Sequence, residues 1–233
     1  MEVVYEDNHL IIVSKRNGEI VQGDKTGDEP LSEAVKRYIK EKYAKPGEVF
    51  LGVVHRLDRP VSGLVVFART SKALSRLNKM FAEGQVHKTY WAIVEKRYWQ
   101  ADKSREDDDM PHTLVHYLTR NERQNKSYAY DHEVPQSKKA VLQWLTIGRG
   151  ERYDLVEVKL MTGRHHQIRC QLAHTGMPIR GDLKYGARRS NPDGSISLLS
   201  RRVEFVHPVS KELISVEAPL PADELWHALA PGT

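Results

Sequence analysis

The chain has a single cysteine, Cys170, among 233 residues, so no internal disulfide can form. A cysteine-poor chain of this kind suits a reducing compartment. No apolar run approaches the roughly 18 residues that would span a membrane, and Met1-Glu2-Val3-Val4 lacks the basic-then-apolar order of a secretory signal. The cytoplasm is therefore the expected location, with no membrane partner. Neither a GxGxxG nor a GxxxxGK[ST] pattern occurs, which removes the common backbone cradles for dinucleotides and nucleoside triphosphates. His112 and His116 stand four apart, the spacing of metal ligands on a helix. No acidic helix partner completes HExxH, and His165 and His166, being adjacent, would point apart, so no metal is expected. Cys170 sits in an apolar helical pattern and reads as packing rather than as a nucleophile.

What is present is a chain of 39% hydrophobic and 29% charged residues, the mix of an ordinary globular protein. Val3 to Tyr5 and His9 to Ser14 read as a hairpin turning at Asp7-Asn8. Leu31 to Tyr43 reads as an amphipathic helix, with Leu31, Val35, Tyr38 and Ile39 on one face. A second helix is expected from a Ser71 cap to Glu83, and a third from near His165 to Gly176. Lys88 to Glu95, Val141 to Ile147, Tyr153 to Met161, Val203 to Phe205 and Leu213 to Glu217 read as strands, and Pro221 opens a short last helix. The segment 100–112, with Asp102, Glu106, Asp107, Asp108 and Asp109, reads as an exposed loop. Strands with scattered helices and no regular alternation imply α+β, with a mixed, largely antiparallel sheet and flanking helices and loops.

The net charge is +5, and its distribution is uneven. Residues 55–80 carry Arg56, Arg59, Arg69, Lys72, Arg76 and Lys79 against Asp58 alone. Residues 163–190 carry Arg164, Arg169, Arg180, Lys184, Arg188 and Arg189 against Asp182 alone, so the rest of the chain is net acidic. Such runs are usually solvated faces. Two of them on the segments with the densest motifs favour a phosphate-binding surface.

The organising stretch is His55-Arg56-Leu57-Asp58-Arg59-Pro60-Val61-Ser62-Gly63-Leu64. A carboxylate flanked by two arginines on a turn before an apolar strand suits a poised nucleophile, although an ordinary surface salt bridge fits the same residues. The stretch resembles the catalytic motif of the RluA-type RNA pseudouridine synthases. Further pieces of that family's pattern recur in order. They are Tyr5-Glu6-Asp7 through Lys15 and Gly18, then Lys88-Thr89-Tyr90-Trp91-Ala92, then Thr162 to Arg169 with Pro178 to Gly186, and last Phe205 to Pro208 with Ala218 to Pro221. The resemblance covers nearly the whole chain. Arg16, His165 and Leu199 depart from it, standing where the family usually has proline, threonine and histidine.

The resemblance implies isomerisation of uridine to pseudouridine within structured RNA, tRNA or rRNA. Uracil is detached, turned and rejoined through carbon 5. No cofactor is implied, because product and substrate hold the same atoms. Asp58 matches the family nucleophile, attacking either ribose carbon 1′ or uracil carbon 6. Arg169 matches the arginine that pairs with it, Tyr90 the tyrosine that stacks on the base, and Arg56 the arginine that fills the gap left by a flipped base. Lys15, Arg59, Arg164, His166 and Gln167 belong to the same motifs and are expected at the RNA, as are Arg188 and Arg189 from their charge. A flipped base is required, since Asp58 reaches neither carbon 1′ nor the ring inside a stacked helix. A single catalytic domain over 1–233, without a preceding S4-type RNA-binding domain, and a monomer are expected. Two other readings stand beside this one. A glycosidase using Asp58 would need a second carboxylate, and the motif segments offer only Asp182. A noncatalytic RNA-binding protein would have no need of Asp58, Tyr90 and Arg169 together.

Overall fold

The structure is a computed structural model that describes residues 1–24, 26–96 and 110–232. The acidic run at 102–109 lies outside the described residues. The chain forms two compact units, 1–88 with 200–219 and 89–199 with 220–233.

In the first unit β1 (Glu2–Glu6) and β2 (Leu10–Lys15) form the expected hairpin. Asp7 makes its turn, with Oδ1 accepting from the backbone N–H groups of His9 and Leu10 at 2.7 Å each. β2 pairs antiparallel with β4 (Ser62–Ala68), which also takes the short β3 (Gly52–Val53). Leu10 to Val13 and Leu64 to Ala68 are all buried, so both strands read as unbroken apolar runs rather than alternations. Helix α1 (Leu31–Lys42) buries Leu31, Val35 and Ile39. It has no side-chain cap. Its first donors are met instead by loop carbonyls, Leu31 N–H to Ile20 and Ser32 N–H to Val21. Helix α2 (Ser71–Ala82) is capped one residue earlier than expected, by Thr70, whose Oγ1 accepts from the Ala73 N–H at 3.2 Å. β10 (Leu198–Val206) lies next to β4 and pairs antiparallel with β11 (Leu213–Glu217).

The second unit is an antiparallel sheet in the order β5 (His87–Glu95, from Thr89 onward), β9 (Tyr153–Leu160), β8 (Lys138–Arg149), β6 (His112–Asn121), β7 (Lys126–Tyr130). Thr89 to Val94 are buried on both faces, as suits an interior strand. The β6–β7 hairpin corrects the sequence reading, which placed no strand between 96 and 141. Helix α3 (Gln167–His174) begins two residues later than expected, because His166 ahead of it takes a left-handed backbone (φ 51). The last helix, α4 (Glu224–Leu229), starts not at Pro221 but after Asp223, whose Oδ1 accepts from the Leu225 N–H. α4 packs where β8 carries Gly148. A Cβ there would lie 1.9 Å from the Leu229 carbonyl oxygen, so the helix end and the strand touch backbone to backbone.

Candidate active site

Asp58 lies in the turn between β3 and β4 and is half-buried. Several short links fix the backbone of that turn. Val61 N–H donates to the Asp58 carbonyl at 3.0 Å, and Gly18 N–H to the Arg59 carbonyl at 2.9 Å. From the end of β2, the Lys15 ammonium donates to the Val61 carbonyl at 2.7 Å, to that of Arg16 at 2.9 Å and to that of Arg59 at 3.1 Å. Lys15 is 1% exposed, rare for a lysine without a dedicated acceptor set. Burial pulls its pKa down to about 8, while the Glu19 and Asp58 carboxylates oppose the shift. Just beyond the turn, Gly63 sits at φ 110, and a Cβ there would meet the Ser200 carbonyl oxygen at 2.3 Å. This position of β4 is closed to side chains, since both the conformation and the space require glycine.

The flanking residues of the turn divide by role. His55 Nε2 accepts from the Val66 N–H at 2.9 Å, and its ring stacks on Phe81 with centroids 4.9 Å apart. Burial, with Lys88 nearby, takes its pKa to about 3, so it is a neutral acceptor that anchors the turn to β4. Arg56 is exposed. Arg59 binds back to the loop at 24–28, with Nη1 2.6 Å from Asp28 Oδ2 and Nη2 2.7 Å from Thr26 Oγ1.

In the second unit Tyr90 is buried on β5, 7% exposed, opposite Val158 of β9. Arg169 projects from α3 into a buried ion pair. Its Nε donates to Asp182 Oδ2 at 2.7 Å and its Nη2 to Oδ1 at 2.9 Å, with the two side chains 6% and 2% exposed. The guanidinium carbon lies 5.1 Å from the centre of the Tyr185 ring. Such a two-pronged pair fixes the plane of the guanidinium as well as its position. Asp182 is delivered by Gly181 at φ 88, where a Cβ would fall 2.6 Å from the Ser195 carbonyl oxygen. The Tyr185 hydroxyl accepts from the Ser127 N–H at 2.8 Å and lies 2.9 Å from His166 Nδ1. Burial first, then Arg169, drives the His166 pKa to about 2, so the ring is neutral. Gln167 joins three segments. Its Oε1 accepts from Thr162 Oγ1 and from the Arg164 N–H, each at 2.9 Å, and its Nε2 donates to the Val141 carbonyl.

Residues 9–174, a span that includes Asp58, Tyr90 and Arg169, match the family model described as RNA pseudouridylate synthase. The chain belongs to that family. It is 30% identical over 226 residues to the ribosomal large subunit pseudouridine synthase C of Vibrio cholerae, covering 94% of this chain and 66% of the relative. It is 31% identical over 240 residues to the tRNA pseudouridine synthase C of the same organism, covering 98% and 94%. The chain thus spans about two-thirds of the first relative and nearly all of the second. Human RNA pseudouridylate synthase domain containing 4 shares the fold, with a TM-score of 0.75 at 20% identity over 97% of this chain and 90% of that one. The RluA-type resemblance and the α+β fold read from the pattern of strands and helices both hold for this synthase.

The structure separates the residues expected at RNA into two sets. Arg56, Arg164, Arg188 and Arg189 are exposed. Lys15, His166 and Gln167 are buried, with polar atoms bound to other parts of the protein. They shape the motif loops from inside. Arg59 already has an acidic partner, and Arg188 stands 3.5 Å from Glu95. His165 and His166 do not point apart. Their rings stack with centroids 3.8 Å apart, because the left-handed backbone at His166 breaks the alternation that an extended chain would give. Cys170 is packing, as expected; burial raises its thiol to about 12. Sequence reasoning missed Asp182 as the partner of Arg169. The available signal was the Gly181-Asp182 step, a glycine at a position with no room for a side chain just before a buried acid.

Proposed function

We propose that this synthase isomerises specific uridines of tRNA or rRNA, with Asp58 as the nucleophile toward the flipped nucleotide. In this reading Arg169 orients the Asp58 carboxylate, Tyr90 stacks on the uracil, and Arg56 fills the gap in the RNA stack. Arg164 and Arg189 contact phosphates. The chain acts as one catalytic domain and as a monomer, in the cytoplasm; among the described residues no helix is long and apolar enough to cross a membrane. The observation that carries the reading is the set of hydrogen bonds on the Asp58 turn from Lys15, Gly18 and His55, which a solvated salt bridge would not need. A nucleophile held in place before substrate arrives avoids reorganisation during the reaction. Asp182 is fully engaged by Arg169, which takes away the second carboxylate that a glycosidase reading would require.

The test is Asp58→Asn on a mixed tRNA and rRNA substrate, read by pseudouridine content and by RNA binding. The amide is nearly the same shape and is not a nucleophile. Pseudouridine should be lost while binding persists. Activity above a few per cent of wild type, a level on the order of what removal of a nucleophile leaves, would show that Asp58 has another role.

A further inference from the structure

Away from the catalytic residues, the second unit brings two histidines onto one carboxylate. His116 is on β6, Asp131 follows β7, and His174 ends α3. His174 Nε2 lies 2.9 Å from Asp131 Oδ1, and His116 Nε2 lies 3.6 Å from the same oxygen. The two rings meet edge to face with centroids 4.9 Å apart, and one donor atom from each of the three side chains falls within 4.8 Å of the others. His116 is 7% exposed, while Asp131 and His174 face solvent.

We propose that His116, Asp131 and His174 form a site for one transition-metal ion of the zinc class. Two imidazole nitrogens and a carboxylate oxygen, from three different elements, already converge on one point. Closing them onto an ion at about 2.0–2.2 Å from each donor needs only a small inward movement. Two nitrogen donors exclude magnesium and calcium, which take oxygen ligands, and favour Zn2+, Co2+ or Ni2+. Solvent on the Asp131 side completes the coordination.

An independent feature lies behind His116. Gln171 is wholly buried, with Nε2 3.0 Å from His116 Nδ1 and donating to the Ala140 carbonyl at 3.3 Å, and its Oε1 has no hydrogen-bond partner. In this arrangement His116 Nδ1 accepts and its proton sits on Nε2. Turning the amide over would bring the unpartnered Oε1 to Nδ1, at the cost of the 3.3 Å bond from Nε2 to the Ala140 carbonyl. The proton then moves from Nε2 to Nδ1, none is lost, and Nε2 is open to the metal. A ligand histidine that donates its other N–H to an oxygen is the usual outer arrangement of such sites. The ion would tie the end of α3, the helix that carries Arg169, to the β6–β7 hairpin.

The test uses tag-free, chelator-treated full-length protein titrated with Zn2+ in a calorimeter and with Co2+ in a spectrophotometer. One equivalent of Zn2+ should bind, with Tm raised by about 5 °C at a hundredfold excess over Kd. Co2+ should develop visible ligand-field bands. His174→Ala and Asp131→Ala should each weaken binding by about tenfold or more and leave pseudouridine formation at saturating RNA unchanged. Equal affinity in wild type and both variants, or no bound Zn2+, would mean that the cluster is only a histidine–aspartate ion pair. Should His174→Ala fail to fold, Asp131→Ala, altered at an exposed loop residue, decides the matter together with the wild-type Co2+ spectrum, whose lack of bands would overturn the site.

Discussion

The Arg169–Asp182 pair fixes a guanidinium from two sides inside the protein. Both side chains are almost fully buried, so neither charge has water to fall back on. Removing one partner leaves the other uncompensated, at a cost of about 3–5 kcal/mol. Asp182→Ala should therefore lower stability by that order in urea unfolding and also disorder the guanidinium. Asp182→Asn keeps one oxygen acceptor and should fall between wild type and the alanine variant in both stability and kcat/KM. An alanine variant as stable as wild type would show the pair to be dispensable. Lys15 works by the same logic, with a buried cation aimed at carbonyls of the turn. Its position in the motif is visible in the sequence. Its burial is not, because a lysine is expected at the surface until three carbonyls are seen to surround it.

At the scale of elements, caps and turns decide where helices and strands begin. Thr70, not Ser71, closes the first turn of α2, and replacing a capping threonine by alanine costs about 1 kcal/mol. Thr70→Ala should lower the unfolding free energy by that amount, and Ser71→Ala should have little effect; the reverse order in thermal melts would return the cap to Ser71. β2 and β4 were legible because continuous buried runs leave no other reading. β6 was not, because His112 and His116 share a face in a helix at that spacing and also in a strand, where i and i+4 point the same way. The signal that separates the two is the turn that follows. Asn121 Oδ1 accepts from the Gln124 N–H, and Asn125 takes a left-handed backbone (φ 46), a conformation asparagine accepts more readily than most residues. The same strand placed His116 beside partners at 131 and 174 that no local spacing could reveal.

Over the whole molecule, several of the clustered cations are bound within the protein. Arg76 donates to the Pro208 carbonyl, Arg180 to Asp223, Lys184 to the carbonyls of Gln124 and Asn125, and Arg169 to Asp182. These cations hold loops. Neutralising a cation that binds a phosphate should reduce the log–log salt slope of RNA binding by about 0.7–0.9. Arg56→Ala and Arg189→Ala should each show that reduction, whereas Arg76→Ala should reduce stability and leave the slope alone; equal slopes in all three would remove Arg56 and Arg189 from the RNA-binding surface. Acid should act through histidines in both units. His55 and His166 stay neutral in the folded chain, with pKa values near 3 and 2, against about 6.5 when unfolded. Below that unfolded value the unfolded chain binds protons that the folded chain refuses, so stability is full above about pH 6.5 and falls as pH drops toward 3. Urea midpoints measured from pH 7 to pH 4 should decline, and His55→Gln should flatten the decline. An unchanged slope in that variant would show that His55 is not a source of it.

The division of the chain also sets an order of assembly. The first unit is completed by residues 200–219, which carry β11 and most of β10, and the second by 220–233, which carry the helix seated on Gly148. Neither unit is contiguous. During synthesis from the amino terminus, β4 waits for its neighbour β10 until most of these residues have left the ribosome, and β8 waits longer still for α4. Neither unit can complete its native contacts before residues 200–233 are available. A ribosome stalled near residue 199 would hold two half-built units with open strand edges, the state in which a nascent chain most needs a chaperone.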